Sequence, residues 1–209
     1  MNKQKPVADN ESRIMNQDLG MSPLEVELEA EKILADAKVD AGSDSRATRP
    51  EDCKPKFFEN TARAYNEFQR VFGIPNKIFY PGCGADITPV KAFPNSQVTL
   101  LDIDDSAAAI VRSAGIPILN MPVEKYKGKH DLIILLNSTF SPGLATPFLE
   151  RGGKIIANNY FAIPDYLKDM GYPILGLFED KGDRSIFVPE HGRKLVVDSL
   201  YVFGDKEVK

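Results

Sequence analysis

The chain has 209 residues, with 26 Lys+Arg against 30 Asp+Glu and a formal net charge of −4. Hydrophobic residues make up 43% and charged residues 27%, as in an ordinary globular protein, and no stretch approaches the ~20 apolar residues of a membrane-spanning helix. The N-terminal sequence lacks the apolar core of a signal peptide. We therefore expect a cytoplasmic protein with no membrane partner.

Cysteine and histidine are too few and too scattered to indicate a disulfide framework or a metal site. Cys53 and Cys83 are the two cysteines in the chain. The two histidines, His130 and His191, lie far apart and outside any Cys-x-x-Cys or His-x-x-x-His spacing. We therefore expect no bound metal.

The charge is distributed unevenly along the chain. Residues 1–55 contain 8 Lys+Arg and 12 Asp+Glu, so the whole net charge lies there and residues 56–209 are neutral. We interpret 1–55 as an acidic extension made of a loose tail, one helix from Ser22 to about Ala37, and a linker over 41–55. A neutral remainder gives no electrostatic reason to expect strong nucleic-acid binding. The oligomeric state is open.

A second helix is predicted from Lys56 to Phe72, because aromatic and apolar residues recur there every three or four positions. From Lys77 onward the pattern changes to short apolar runs separated by helix-compatible stretches. Such alternation is typical of a parallel sheet covered by helices on both faces. The first five runs lie at 77–80, 98–101, 116–119, 131–136 and 154–157.

Two later apolar runs, at 172–178 and 195–203, are predicted to form an antiparallel hairpin at the sheet edge. The predicted fold is therefore α/β. It is a doubly wound, mostly parallel sheet of seven strands with helices on both faces, an antiparallel edge strand and an N-terminal helical extension. Residues 56–209 would form this Rossmann-like domain.

The loop after the first predicted strand reads Tyr80-Pro81-Gly82-Cys83-Gly84-Ala85-Asp86. In doubly wound sheets, ligands bind outside the carboxyl ends of the strands, so this loop is a candidate binding site. Two glycines separated by one residue allow a tight turn and a close approach of the backbone to a ligand. Thr88-Pro89 is interpreted as the cap and first turn of a short helix at the same site.

The second predicted strand ends at Asp102, 18 residues after Gly84. A carboxylate at this place can accept hydrogen bonds from both hydroxyl groups of a ribose. The acidic residues that follow have a simpler interpretation, because Asp104, Asp105 or Ser106 suits the cap of the next helix.

With these motifs in place, residues 77–160 resemble a class I S-adenosylmethionine-dependent methyltransferase. The matching segments are Gly82-Cys83-Gly84, Asp102, Met121-Pro122-Val123-Glu124 after the third strand, Asp131-Leu132-Ile133-Ile134-Leu135 in the fourth, and Leu149-Glu150-Arg151-Gly152-Gly153-Lys154-Ile155-Ile156 leading into the fifth.

The resemblance implies S-adenosylmethionine as cofactor and a methyl acceptor of unidentified class as partner. The glycine turn would pass under the amino-acid and ribose parts of the cofactor, Asp102 would hold the ribose hydroxyls, and Ile103 would pack against the adenine. Residues 120–123 would line the other face and the edge of the adenine, and Asn137 would face the transferable methyl group. The cofactor-binding set is Tyr80, Pro81, Gly82, Cys83, Gly84, Asp86, Asp102, Ile103, Asn120, Met121, Pro122, Val123 and Asn137.

The loop departs from the family pattern at two positions. The acid that usually stands two residues before the first glycine is Tyr80 here, and the usual third glycine is Asp86. Asp86 is a candidate to meet the cofactor's ammonium group in place of the missing acid. The departures also leave open a non-catalytic protein of the same fold that acts through partner binding. A nicotinamide-dependent oxidoreductase ranks third, because Asp102 suits its cofactor's ribose but the third glycine is absent.

Methyl transfer is an in-line displacement, so alignment of the acceptor matters more than a catalytic base, and the sequence identifies no catalytic residue. Asn137, Phe140 and Tyr160 are candidate substrate-side residues, because they follow the fourth and fifth strands. A capped loop explains the first two as well. We expect the neighbouring Phe161 to fill a core position.

Three further residues are interpreted without a catalytic role. Cys83 is expected to fill the glycine turn, since no histidine lies nearby to activate it. His130 precedes the fourth strand, at the opposite end of the sheet, and is expected to be structural. His191 lies in a turn between two late strands and is expected at the surface.

Overall fold

The computed structural model describes residues 53–189 and 199–206, all of which belong to one compact unit, Arg49–Lys209. Several sequence-based expectations lie outside the described residues. These are the tail, the helix from Ser22 and most of the linker, together with His191 and the first part of the 195–203 run. The division of the chain at residue 55 stays a prediction.

The described residues contain eight strands: β1 (Lys77–Pro81), β2 (Gln97–Asp102), β3 (Ile118–Asn120), β4 (His130–Leu135), β5 (Leu149–Asn158), β6 (Ile174–Asp180), β7 (Ser185–Pro189) and β8 (Leu200–Gly204). They form one sheet in the order β3-β2-β1-β4-β5-β8-β6-β7. Strands β3, β2, β1, β4 and β5 are parallel, and the pairs from β5 to β7 are antiparallel.

The five parallel strands lie at the five predicted apolar runs, and the doubly wound α/β fold is confirmed. The two later runs supply β6 and β8, which pair antiparallel. They do not form the predicted hairpin at the sheet edge, because β7 follows β6 along the chain, pairs with it and lies at the edge. The structure adds β7, which the sequence analysis did not single out. Its apolar run, Ile186-Phe187-Val188, is short and only half-buried, and it makes the described sheet one strand larger than the predicted seven.

Four α-helices occur in the described residues: α1 (Glu59–Phe72), α2 (Thr88–Ala92), α3 (Asp105–Ser113) and α4 (Ile163–Asp169). Helix α1 begins three residues later than predicted, because Lys56 forms an isolated bridge with Asp86 and the chain there is not helical. Asp104 caps α3 by accepting hydrogen bonds from the N–H groups of Ser106 (2.8 Å) and Ala107 (3.4 Å).

The expected cap of α2 is corrected by the structure. The helix begins at Thr88 itself, and Ile87 occupies the cap position without a side-chain hydrogen bond. The N–H of Thr88 is satisfied instead by Oδ1 of Asp86 at 2.8 Å. The hydroxyl of Thr88 donates to the same oxygen and accepts a 2.9 Å hydrogen bond from the N–H of Phe58.

Helices cover both faces of the sheet. On one face, Tyr65 of α1 and Val111 of α3 belong to the same apolar cluster as Ile78 of β1. On the other face, Leu167 of α4 packs in a cluster with Phe79. Ile78 and Phe79 take opposite faces because side chains alternate along a strand. This burial on both faces explains why the parallel strands are apolar throughout.

Helix α1 also contacts the antiparallel side of the sheet through an ion pair and a hydrogen bond. Arg63 forms an ion pair with Asp180 at the end of β6, at 3.2 Å. Glu67 accepts a 3.0 Å hydrogen bond from the backbone N–H of Phe187 in β7 and pairs with Arg70 at 2.7 Å. These contacts place the first turns of α1 beside the carboxyl ends of the parallel strands, where the predicted site residues lie.

Candidate functional site

The glycine loop after β1 has the conformation that its sequence predicts. Gly82 and Gly84 have φ values of 66° and 54°, in the left-handed region that favours glycine. A Cβ atom on Gly82 would lie 3.0 Å from a ring carbon of Phe140, so the backbone and this ring are in close contact. A Cβ atom on Gly84 would meet no atom within 4 Å. The backbone at Gly84 is therefore open to a ligand.

Asp102, at the end of β2, is joined directly to this loop. Its Oδ2 accepts a hydrogen bond from the N–H of Gly84 at 2.6 Å, and its Oδ1 accepts one from the N–H of Asp104 at 2.9 Å. A carboxylate has about four acceptor positions, so roughly half of them are left for hydroxyl groups of a ligand. The side chain of Asn120 donates to the carbonyl of Asp102 at 3.1 Å and so ties β3 to the same place.

Asp86 is the second carboxylate of the loop, and it is buried, with 6% of its surface exposed. Its Oδ2 accepts a 3.1 Å hydrogen bond from the hydroxyl of Tyr80, and its Oδ1 accepts from the N–H (2.8 Å) and the hydroxyl (2.5 Å) of Thr88. Burial raises the pKa of Asp86, and the hydrogen bonds from Thr88 and Tyr80 offset part of that rise. Burial raises the pKa of Tyr80 well above 10, so Tyr80 acts as a neutral donor.

Two buried hydroxyl groups in this region have no hydrogen-bond partner in the part of the chain that the structure describes. The hydroxyl of Tyr65 is unpaired, and burial followed by the charge of Asp86 raises its pKa well above 10. The hydroxyl of Ser138, which follows β4 closely, is also unpaired and lies 3.9 Å from the position of a Cβ on Gly82. An unpaired buried hydroxyl beside an open loop is suited to a polar ligand atom.

A cavity of about 890 Å³ lies against the glycine loop. Its wall includes the loop itself, the N-terminal end of α1, the residues after β4 and β5, and the turn between β6 and β7. The predicted residues that line it are Tyr80, Gly82, Cys83, Gly84, Asp86, Asn137 and Tyr160.

The residues expected around the adenosine part lie outside this cavity wall. Ile103 is 70% exposed and Pro122 is exposed, whereas Val123 is buried in the core and Met121 is half-buried. They follow the ends of β2 and β3, next to Asp102. The predicted set therefore falls into a cavity group and a group next to Asp102, which meet at the Gly84–Asp102 hydrogen bond. Pro81 and Val123 are buried and belong to neither group.

Two asparagines at the ends of β4 and β5 bind each other. The side-chain Nδ2 of Asn158 donates to Oδ1 of Asn137 at 2.6 Å, and the backbone N–H of Asn137 donates to Oδ1 of Asn158 at 3.1 Å. Asn137 has a φ of 53°. Such strained backbone is concentrated at functional sites, and both residues line the cavity.

The aromatic residues near the cavity take three different positions. Phe140 packs against Gly82 and does not belong to the cavity wall, whereas Tyr160 lines the cavity and is 56% exposed. The expectation of a core position for Phe161 is wrong. Phe161 is 63% exposed and makes a perpendicular ring contact with Tyr160, with ring centres 4.8 Å apart. Its φ of 53° shows that the chain turns out of the strand conformation there.

Cys83 and His130 have environments that agree with non-catalytic roles. Burial raises the pKa of Cys83 to about 12, so it stays a thiol. His130 is buried at the amino end of β4, where its Nε2 lies 2.7 Å from the hydroxyl of Tyr126. Burial lowers the pKa of His130 to about 4, so it is neutral near pH 7.

Individual residues of the segment that enters α1 also belong to the cavity wall, although none of them was predicted as a site residue. Lys56 and Phe58 line the cavity, and so do Glu179, Asp180 and Lys181. No motif marks these positions, because they reach the site through pairing across long sequence separations. The isolated bridge between Lys56 and Asp86 is such a contact.

No family model and no curated protein matches the sequence. Solved structures do match. The N-methyltransferase NodS of Bradyrhizobium japonicum WM9, in complex with S-adenosyl-L-homocysteine, is 12% identical over 71% of this chain and 86% of its own, with a TM-score of 0.50. A Staphylococcus aureus protein named as a caffeoyl-CoA O-methyltransferase is 13% identical over 92% of this chain and 96% of its own, with a TM-score of 0.51.

The fold is that of the class I methyltransferases. Within the described ranges, no helix is long and apolar enough to cross a membrane, and no group of three or more His, Cys, Asp or Glu side chains is placed to hold a metal ion.

Proposed function

We propose that the protein is an S-adenosylmethionine-dependent methyltransferase. The observation that carries this proposal is the hydrogen bond between Gly84 and Asp102, which joins the open glycine loop to a carboxylate at the end of the neighbouring strand. The methyltransferase fold adds support. The NodS structure contains S-adenosyl-L-homocysteine, which is the product that S-adenosylmethionine leaves after methyl transfer.

The residues present fit such a cofactor. The remaining acceptor positions of Asp102 suit ribose hydroxyls, and the exposed side chain of Ile103 offers an apolar surface for adenine. Gly84 leaves space for the chain between ribose and amino acid, and the unpaired hydroxyl of Ser138 lies beside the loop. We assign the cofactor to Tyr80, Pro81, Gly82, Cys83, Gly84, Asp86, Asp102, Ile103, Asn120, Met121, Pro122, Val123 and Asn137.

The bound cofactor would supply an electrophilic methyl group together with its own leaving group. The protein's contribution is then alignment and exclusion of water. The first turns of α1 and the segment before them cover one side of the cavity. On the acceptor side, the paired amides of Asn137 and Asn158 keep unused N–H donors and carbonyl lone pairs that can orient an acceptor.

The charged side chains on the acceptor side are engaged in ion pairs. Lys181 pairs with Glu179 at 2.6 Å, and Asp180 pairs with Arg63 at 3.2 Å. These four side chains are thus engaged with one another and with α1. We therefore assign Asn137 and Tyr160, which line the cavity, to acceptor positioning, with Phe140 acting through its packing on Gly82. We assign no general base, which a nucleophilic acceptor does not need.

Calorimetric titration with S-adenosylmethionine, S-adenosylhomocysteine and NAD tests the proposal. We expect binding of the first two and no response to NAD. If none of the three ligands binds, the result contradicts the proposal and favours a non-catalytic protein of the same fold that acts through a partner. The observation that favours this second candidate is Tyr80, which stands where the family usually has an acid. Binding of NAD alone would indicate an oxidoreductase.

A further inference from the structure

Two exposed aromatic rings follow β5 next to the cavity. Tyr160 lines the cavity, and Phe161 beside it is also exposed to solvent. The two rings are perpendicular, with centres 4.8 Å apart, so Phe161 restricts the positions that the ring of Tyr160 can take. Phe161 and Ala162 both have a φ of 53°, which is a costly backbone conformation for residues other than glycine. Since this backbone keeps both rings out of the core, their role is in binding.

Another exposed ring, that of Phe58, belongs to the same cavity wall. The N–H of Phe58 is held at 2.9 Å by the hydroxyl of Thr88, which follows the glycine loop after β1. Tyr160 reaches the wall from the end of β5, and β4 lies between β1 and β5 in the sheet. In the order of the strands, Asn137 after β4 therefore lies between the places where the two rings enter the wall.

The charged side chains on the acceptor side of the cavity compensate one another. Lys181 pairs with Glu179 at 2.6 Å, and Asp180 pairs with Arg63 at 3.2 Å. Apart from the glycine loop and the segment before α1, the described part of the wall has no charged side chain outside these pairs. A ligand with a net charge would lose hydration there without gaining an unpaired charged partner. The acceptor side therefore favours an uncharged ligand.

Uncharged hydrogen-bonding groups lie on the same side of the cavity. The side chains of Asn137 and Asn158 both line it, and the amide of Asn158 donates to Oδ1 of Asn137 at 2.6 Å. An amide side chain carries two N–H donors and an oxygen with two lone pairs, so this contact leaves donors and acceptors for a ligand. Such a pair can bind the polar edge of a flat molecule without any charge.

We propose that the methyl acceptor is a small, uncharged aromatic heterocycle, which packs its ring against Tyr160 and places a polar edge on the amides of Asn137 and Asn158. The inference rests on the proposed function and specifies the acceptor of the same cavity. The cavity volume of about 890 Å³ is within the range of roughly 300–1,000 Å³ of small-molecule sites. A lone pair of the heterocycle forms the bond to the methyl carbon, and the electrons of the carbon–sulfur bond stay on sulfur. The methylated ring is then a cation or releases a proton to water.

Three ring probes test the charge preference on the protein saturated with S-adenosylhomocysteine. Quinoline is an uncharged planar heterocycle, quinoline carboxylate carries a negative charge on the same ring, and N-methylquinolinium carries a positive charge. In calorimetric titrations we expect quinoline to bind about threefold or more tightly than either charged probe, because neither charge finds an unpaired partner on the wall.

Variants of Tyr160 test the ring contact. Tyr160→Ala should weaken quinoline binding about threefold to tenfold and leave S-adenosylhomocysteine binding unchanged. Tyr160→Phe keeps the ring and should bind quinoline as the wild type does. Tyr166→Ala is the matched control, since Tyr166 is an exposed tyrosine that is not part of the cavity wall. It should leave the binding of quinoline and of S-adenosylhomocysteine unchanged.

Three results would overturn the inference while leaving the proposed function intact. One is a charged probe that binds as tightly as quinoline or more tightly. Another is unchanged binding of quinoline by Tyr160→Ala. The third is a wild-type protein that binds S-adenosylhomocysteine but not quinoline, which would favour a different acceptor, such as a side chain of another protein. If the wild type does not bind S-adenosylhomocysteine, the proposed function itself fails.

Discussion

The N–H of Gly84 donates a 2.6 Å hydrogen bond to Oδ2 of Asp102 and so connects the ends of two neighbouring parallel strands. The loop and the carboxylate are therefore one unit. A ligand that binds Asp102 also contacts the open backbone of the loop at Gly84. A substitution of either residue therefore removes or alters the contact that holds the other.

Asp102→Ala should weaken the binding of S-adenosylhomocysteine by about 1–3 kcal/mol, because ligand hydroxyls would lose their acceptor and the N–H of Gly84 its partner. Calorimetry measures the change. Asp105→Ala is the control, since Asp105 is an exposed carboxylate in the first turn of α3 and should leave affinity as it is. An unaltered affinity in Asp102→Ala would remove Asp102 from the site.

Gly84→Ala separates backbone strain from ligand contact. A non-glycine residue at a φ of 54° lowers the free energy of unfolding by roughly 1–2 kcal/mol. Its methyl group would also occupy the open space of the loop, so S-adenosylhomocysteine binding should fall beyond what the loss of stability explains.

Gly115→Ala is the matched control for that variant. Gly115 has a φ of 73° with no atom within 4 Å of a Cβ position, and it is not part of the cavity wall. It should show a similar loss of stability in urea unfolding with unchanged binding. If Gly84→Ala binds as well as Gly115→Ala, the ligand does not approach Gly84.

Asn158→Ala tests the amide pair at the ends of β4 and β5. It removes the acceptor of the Asn137 N–H and the donor to Oδ1 of Asn137. We expect the free energy of unfolding to fall by about 1–2 kcal/mol. The neighbouring variant Asn159→Ala should change it by less than about 0.5 kcal/mol. Equal effects of the two variants in urea unfolding would contradict a special role for the pair.

His130 makes stability depend on pH. Burial holds its pKa near 4 in the folded chain, below the usual value of about 6.5, so the unfolded chain takes up a proton first as the pH falls. The contribution of His130 to the free energy of unfolding is fully present above about pH 6.5 and is lost as the pH falls toward 4. His130→Phe should flatten this part of the pH profile.

Urea unfolding at several pH values between 4 and 7 measures that effect. Tyr126→Phe serves as the control, because it removes the same 2.7 Å hydrogen bond but keeps the imidazole. Tyr126→Phe should therefore keep the pH dependence of the wild type. A profile for His130→Phe that is as steep as that of the wild type would place the titration in other groups.

The parallel half of the sheet could be predicted from sequence because its strands are buried on both faces and therefore continuously apolar. The apolar run in β7 is only three residues long, Ile186-Phe187-Val188, and half-buried, so it was not recognised as a strand between the two later runs. Phe161 was misplaced for a related reason. An aromatic residue after a strand suggests the core, but the left-handed backbone at Phe161 and Ala162 leaves its ring exposed.

At the site, the spacing of the glycines and the aspartate at the end of the second strand predicted that Gly84 and Asp102 lie close together, and the hydrogen bond between them confirms this proximity. The prediction was possible because the order of the strands in the sheet determines which strand ends are neighbours. The position of Lys56 could not be predicted. It depends on backbone pairing with the segment around Asp86, thirty residues later, and no periodic pattern encodes that pairing. Loop contacts of this kind depend on the folded chain as a whole.

The contact between Glu67 and Phe187 lies on the edge strand β7, where a strand of a second molecule would pair with the sheet. Phe187 and Pro189 lie two residues apart on the same side of β7, the last strand of the described sheet. The N–H of Phe187 already donates a hydrogen bond to Glu67, and Pro189 has no backbone N–H. A strand from a second molecule would find no free donor at these two positions, which weakens intermolecular strand pairing along β7.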